Sequence, residues 1–157
     1  MVERALLVLD DGTCYAGQAL GAVGQAVSEL VLFAGMTGYQ EALTDPANQG
    51  KIMVMTAPHV GNTGVNDMDS LSPRATVAGL VARAPARLWS NFRGQRSLQD
   101  ELVDSGVVGI GQIDTRAITL HLREFGPTRA GIFSGPALLD PQGRELSEET
   151  LLEMVGK

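Results

Sequence analysis

Val107-Val108-Gly109-Ile110-Gly111-Gln112-Ile113-Asp114-Thr115-Arg116-Ala117-Ile118-Thr119-Leu120-His121-Leu122-Arg123-Glu124-Phe125 is followed, three residues on, by Arg129-Ala130-Gly131-Ile132-Phe133-Ser134. The first four residues are an unbroken apolar run, which reads as a buried strand. Asp114 carries a short side-chain oxygen able to accept an orphan amide hydrogen at a helix start. Ile118, Leu122 and Phe125 then recur at helical spacing and predict one buried face. His121 falls outside that stripe and reads as a solvated surface residue. Residues 129–134 return as a strand. A strand, a capped helix and a strand in succession are the signature of an α/β unit.

Outward from this unit the pattern repeats, then changes. Ser97, with Asp100 three residues later, predicts a helix whose apolar stripe is Leu98, Leu102 and Val103 and which Gly106 closes. Residues 76–83 and 52–55 read as strands, the latter apolar throughout and therefore central. The first third of the chain contains strands alone. Residues 5–9 run into the turn Asp10-Asp11-Gly12, 13–20 return, and 25–34 follow after Gly21 to Gly24. In the third strand Val27, Val31 and Phe33 are apolar at odd positions, between polar Ser28 and Glu29. Strands first and alternation later predict an α/β domain with a mixed sheet and an N-terminal meander. Residues 39–44 read as a short helix ended by Asp45-Pro46. Residues 135–143, with Pro136 and Pro141, read as a linker, and 147–155 as a short helix.

Two polar segments interrupt this framework: Met36-Thr37-Gly38-Tyr39-Gln40-Glu41-Ala42-Leu43-Thr44-Asp45-Pro46 and Ala57-Pro58-His59-Val60-Gly61-Asn62-Thr63-Gly64-Val65-Asn66-Asp67. Their density of Gly, Thr, Asn and Asp exceeds what a connector needs, and recognition residues concentrate on such loops. They read as a protein-facing surface. A self-contained turn network is the plainer alternative. The segment Gly61-Asn62-Thr63-Gly64 lacks the strand–GxxxxGK–helix context of a phosphate loop. Trp89 and Phe92 beside Arg93 suit either an interface anchor or the core.

Composition narrows the chemistry. The chain has 157 residues, enough for one domain with a core, and 12 basic against 18 acidic residues give a net charge of −6. No cluster of Lys and Arg offsets that balance, which argues against a nucleic-acid or anionic-membrane surface. No run approaches a membrane span. The single Cys fits a reducing compartment, and the chain reads as cytoplasmic. Cys14 within Gly12-Thr13-Cys14-Tyr15-Ala16 approximates a nucleophile elbow, yet its neighbours predict a strand and no helix follows. With His59 it could compose a Cys-His dyad in space. His59 suits a turn-fixing role better, and two histidines without a second Cys or grouped carboxylates make no metal site. Arg116 and Arg123 share one helix face.

The chain resembles the small subunit of glutamine-dependent carbamoyl phosphate synthetase, in its N-terminal domain only. The resemblance rests on ordered blocks: Ala5-Leu6-Leu7-Val8-Leu9-Asp10-Asp11-Gly12-Thr13; Gly35-Met36-Thr37-Gly38-Tyr39-Gln40-Glu41 with Leu43-Thr44-Asp45-Pro46; Pro58-His59-Val60-Gly61-Asn62 with Gly64-Val65-Asn66-Asp67; Ser90-Asn91-Phe92-Arg93; and Gly111-Gln112-Ile113-Asp114-Thr115-Arg116 with Arg123-Glu124. So many blocks in order are far more specific than one motif.

The resemblance implies a layered β/β/α domain over residues 1–134, with 135–157 leading toward an amidotransferase domain that this sequence does not contain. In the family that second domain hydrolyses glutamine with a Cys-His-Glu arrangement. A large subunit then uses ATP, magnesium and bicarbonate to complete carbamoyl phosphate, for arginine and pyrimidine biosynthesis. This chain alone is expected to be inactive, with no catalytic residue, cofactor or metal of its own. Its expected task is docking the glutaminase domain to the large subunit in a heterodimer that transfers ammonia. The implied interface residues are Tyr39, Gln40, Asp45, His59, Asn62, Asn66, Asp67, Arg116 and Arg123.

Two positions depart from the family pattern. Ala47 stands where many members place a serine near bound glutamine, and Ala57 replaces a more usual tyrosine. A stand-alone binding module of the same fold is the rival reading, and a Cys14–His59 hydrolase a further one.

Overall fold

The computed structural model describes residues 4–33, 48–55, 59–60, 77–85 and 102–156, with backbone only at 59–60 and 84–85. Seven strands form one mixed sheet that closes on itself in the order β1-β2-β8-β6-β4-β3-β9. They are β1 (Arg4–Leu9), β2 (Cys14–Gly21), β3 (Gln25–Phe33), β4 (Ile52–Met55), β6 (Gly79–Val81), β8 (Val108–Gly111) and β9 (Arg129–Ser134). The strands β3, β4, β6 and β8 are mutually parallel neighbours. The strands β2 and β9 run against them and flank β1. Two short parallel segments, β5 (His59–Val60) and β7 (Ala84–Pro85), form a separate pair.

The mixed α/β class is the one the sequence predicts, but the N-terminal strands are not a meander. Only β1 and β2 form a hairpin, whereas β3 lies between β9 and β4. Its first five residues pair with β9 and its last four with β4, the stagger that closing a sheet requires. The hairpin turn follows from its residues. Gly12 takes φ +94°, a conformation costly to other side chains, and the Asp11 carboxylate accepts the Thr13 amide at 2.9 Å.

Apolar alternation decides what fills the barrel. Ala5, Leu7 and Leu9 point inward to meet Ala26, Leu30, Ile52, Val54, Val81, Ile110 and Ile132. The intervening Leu6 and Val8 point outward and are buried as well, which is why this strand reads as an unbroken apolar run. In β3 the inward residues are Ala26 and Leu30. The odd-numbered Val27, Val31 and Phe33, the expected core face, turn outward and are covered there by outer-layer residues. Gly17 sits where β2 approaches β8 so closely that a Cβ would stand 2.5 Å from the Gly111 carbonyl oxygen, so a side chain there would force the strands apart.

The helix α1 (Thr115–Phe125) connects β8 to β9 and lies across the end of the barrel where the parallel strands finish. Its Ile118 and Leu122 join the barrel core from above. The Asp114 carboxylate accepts the Ala117 amide at 3.0 Å, as its N-cap chemistry predicts. Phe125 departs from the predicted stripe and is 65% exposed. The buried residues are Thr115, Ile118, Thr119 and Leu122, so at about 100° per residue the buried arc is centred between Ile118 and Thr119. Phe125 is thereby left at its edge.

Residues 135–156, read from sequence as a linker and a short helix, fold against the outer wall. A 3-10 turn (Gly135–Leu138) leads to a small hairpin in which Leu139 bridges Glu145, and the Asp140 carboxylate accepts the amides of Gln142 and Arg144, both at 2.9 Å. The helix α2 (Glu148–Val155) is capped by Ser147, which accepts the Thr150 amide at 3.2 Å. Leu138, Leu151 and Val155 bury Leu6, Val8 and Phe133. Arg4 pairs with Glu145, and the Arg129 guanidinium donates to the Val155 carbonyl at 2.7 Å, closing the end of α2.

Candidate functional site

The carboxyl ends of β3, β4, β6 and β8 share one mouth, and α1 stands over it. At Gly111 the strand β8 ends. Gln112 then adopts φ +56°, the one non-glycine among the described residues in the left-handed region, and Asp114 caps α1 two residues later. Such a backbone costs on the order of 1 kcal/mol, and conformations of this kind gather at functional sites. The turn brings Arg83, Gln112, Ile113, Asp114 and Arg116 around an open hollow of about 500 Å³. Ile113 is buried and the four polar side chains are exposed, so the hollow is open and polar, and its described rim carries the Arg83 and Arg116 guanidiniums together with the Asp114 carboxylate.

The far side of the mouth is tied to the β1–β2 turn. His121 Nε2 stands 3.4 Å from Asp11 Oδ2, with the His121 side chain 12% exposed, and the Phe125 ring lies over the imidazole at 4.7 Å between centroids. His121 is therefore not the solvated surface residue that the sequence suggested. The α1 face turns far enough for its ring to reach the hairpin. The Thr13 backbone amide holds the Asp11 carboxyl below its ordinary range, opposed by partial burial and assisted by His121. Burial, then the Asp11 and Asp114 carboxylates, push the Tyr15 hydroxyl up.

Cys14 begins β2, and its thiol donates to the Gly12 carbonyl at 3.6 Å. Burial pushes the thiol up, and the charge of Glu148 pushes it further. A nucleophilic thiolate needs the reverse, a positive neighbour or a helix N-terminus. The environment of Cys14 suits the packed strand residue that the sequence predicts. Among the described residues no three His, Cys, Asp or Glu side chains gather as a metal site, and no helix is long and apolar enough to cross a membrane.

Of the predicted interface residues, Arg116 and Arg123 are exposed on α1, and Arg116 lines the hollow. His59 is placed by its backbone alone, which pairs with Ala84 in the parallel β5–β7 segment. Tyr39, Gln40, Asp45, Ala47, Ala57, Asn62, Asn66 and Asp67 lie outside the described residues, as do Trp89, Phe92, Ser97 and the helix at 39–44. The sequence reading missed Arg83 and the strained Gln112. Arg83 follows an apolar run as any surface cation would. A left-handed glutamine leaves no mark in composition or period; the one signal was its place between a strand end and an N-cap.

The family description "Carbamoyl-phosphate synthase small chain, CPSase domain" matches residues 7–132. The carbamoyl phosphate synthase small chain of Streptomyces avermitilis is 59% identical over 144 residues, covering 92% of this chain and 38% of that protein. That of Mycobacterium leprae is 47% identical over 156 residues, covering 98% of this chain and 40% of that one. Among solved structures, an aminopeptidase from Aneurinibacillus sp. strain AM-1 superposes with a TM-score of 0.44 at 17% identity, over 86% of this chain and 30% of that one, a likeness too slight to carry an argument. The chain thus spans about 40% of the length of the curated relatives it matches. With its barrel, the helix across its mouth and most of the described residues inside the matched span, the chain belongs to the carbamoyl phosphate synthase small-chain family and represents its CPSase domain.

Proposed function

We propose that this domain is the non-catalytic, docking part of a small chain in a glutamine-hydrolysing carbamoyl phosphate synthase. In that assembly glutamine supplies ammonia, and a large chain carrying ATP and magnesium combines it with bicarbonate. The domain holds the glutaminase part of the small chain against the large chain, and the product serves arginine and pyrimidine synthesis in the cytoplasm. One observation carries the reading: the matched span coincides with a closed barrel whose sole cysteine begins a strand, with its thiol on the Gly12 carbonyl. A domain so built offers a surface rather than a nucleophile. The barrel end covered by α1 is the candidate surface, because it gathers the strained Gln112 and exposed arginines.

The test is capture of the cognate large chain by the full small chain and by this domain, with glutaminase activity followed in parallel. Association of the domain with the large chain, and no glutamine hydrolysis by the domain alone, are expected. Failure of the large chain to bind in both formats would sink the reading. Hydrolysis by the isolated domain that is lost in Cys14→Ala would favour the hydrolase alternative instead.

A further inference from the structure

The arginines among the described residues differ in what they contact. Arg4 pairs with Glu145, and Arg129 closes α2 through the Val155 carbonyl. Arg83 and Arg116, at the rim of the hollow, and Arg123, two turns further along the same face of α1, take no carboxylate partner among the described residues. They find none among the described residues, although the chain's 18 acidic residues outnumber its 12 basic ones. Carboxylates for pairing were therefore abundant. Between Arg116 and Arg123, at helical spacing from both, Leu120 is 54% exposed. The outward stripe of α1 is thus guanidinium, leucine, guanidinium, and its first member, Arg116, shares the lining of the hollow with Arg83 and Gln112.

We infer that this hollow receives a carboxylate side chain from an acidic segment of the protein that docks on the mouth, with Arg83 and Arg116 as its ligands and Leu120 as the apolar contact beside them. Planar guanidiniums bind carboxylates through two parallel hydrogen bonds, which makes arginine the fitting residue type. A small free anion fits less well. Pockets for small molecules enclose most of the ligand within largely apolar walls, whereas the described residues around this hollow are, except for Ile113, exposed and polar. A protein partner brings its own surface to exclude water, and arginine with exposed apolar side chains is interface composition. In a chain of net charge −6, a rim whose two guanidiniums outnumber its one carboxylate, Asp114, is also a place that favours an acidic segment. The inference rests on the docking reading for the partner's identity, but not for its chemistry.

Affinity of the full small chain for the large chain, measured at low and moderate salt, tests it. Arg116→Glu and Arg83→Glu should each weaken binding at least tenfold and flatten its salt dependence, while Arg116→Lys, which keeps the charge but loses the two-bond geometry, should fall between wild type and Arg116→Glu. Arg144→Glu makes the same change of net charge on the exposed wall hairpin and should leave binding unaltered. Unchanged affinity in both rim variants, with wild-type binding intact, would overturn the inference and spare the docking reading. If the large chain does not bind at all, a hexaglutamate peptide titrated onto the domain decides the matter through the amide resonances of Gln112 and Ile113. Shifts abolished by Arg116→Glu support the inference, and no shifts overturn it. Glutarate binding as tightly as the peptide would also overturn it, marking a small-anion site.

Discussion

The helices α1 and α2 are capped alike at their starts and used differently. In α2, which lies on the wall of the barrel, Leu151 and Val155 are buried, Leu152 and Met154 are half-covered, and an arginine seals the last turn. In α1, which lies across the mouth, Ile118 and Leu122 are buried, yet Leu120 and Phe125 stand 54% and 65% exposed. The wall helix completes a surface. The mouth helix closes the core beneath it and leaves Leu120, Arg116 and Arg123 outward, without a partner among the described residues. Where a fold satisfies one helix and leaves another half-used, the second is the place to look for a partner.

Truncating one leucine in each helix puts that contrast under the greatest strain. Leu151→Ala removes a fully buried side chain above Phe133 and should cost about 2–4 kcal/mol in urea unfolding. Leu120→Ala should change stability by no more than about 0.5 kcal/mol. Equal losses would show that both helices serve the fold alone. A smaller effect should come from the caps. Asp114→Ala and Ser147→Ala each remove a side-chain acceptor at a helix start and should each cost about 1 kcal/mol, measured the same way. A free loss of Ser147 would mean that α2 is held by packing only.

The smallest effect separates the two helices by pH. Asp11, whose carboxylate accepts the Thr13 amide and also faces His121 on the mouth helix, has its folded value depressed, chiefly by that amide. Its contribution is therefore present above the ordinary carboxylate range and disappears as pH falls through the depressed value. Because the Asp11 side chain is 45% exposed, the effect should stay below about 1 kcal/mol. Melting temperatures of wild type and Asp11→Asn should differ at neutral pH and converge in acid. A difference that grows on acidification would contradict the assignment.

Much of this was legible in the sequence, and the misses have causes. The runs at 5–9 and 52–55 are apolar throughout because both faces of those strands are covered, and their burial follows from composition alone. Asp114, Ser147 and Gly12 announce themselves by local chemistry, which needs no knowledge of distant partners. The place of β3 next to β9 depends on residues about a hundred positions away, so no local pattern reports it. Pro136 and Pro141 suggested a linker because their turn chemistry is the same whether a segment spans solvent or lies on a wall; Leu138, Leu151 and Val155 decide the matter only once Phe133 is beneath them. At the mouth, Arg116 was legible as a helix-face cation. Its opposite number Arg83 and the left-handed Gln112 become meaningful only in three dimensions.

The position of β9 between β1 and β3 also orders events during synthesis. Both early strands leave the ribosome about a hundred residues before the strand that pairs with each of them. Until 129–134 arrives, β1 and β3 each present an unpaired edge, the kind of edge that recruits strands from other chains. Pairing so distant in sequence also slows folding. The last strand is the stave that closes the barrel, and nascent chains stopped short of it should be the ones that aggregate.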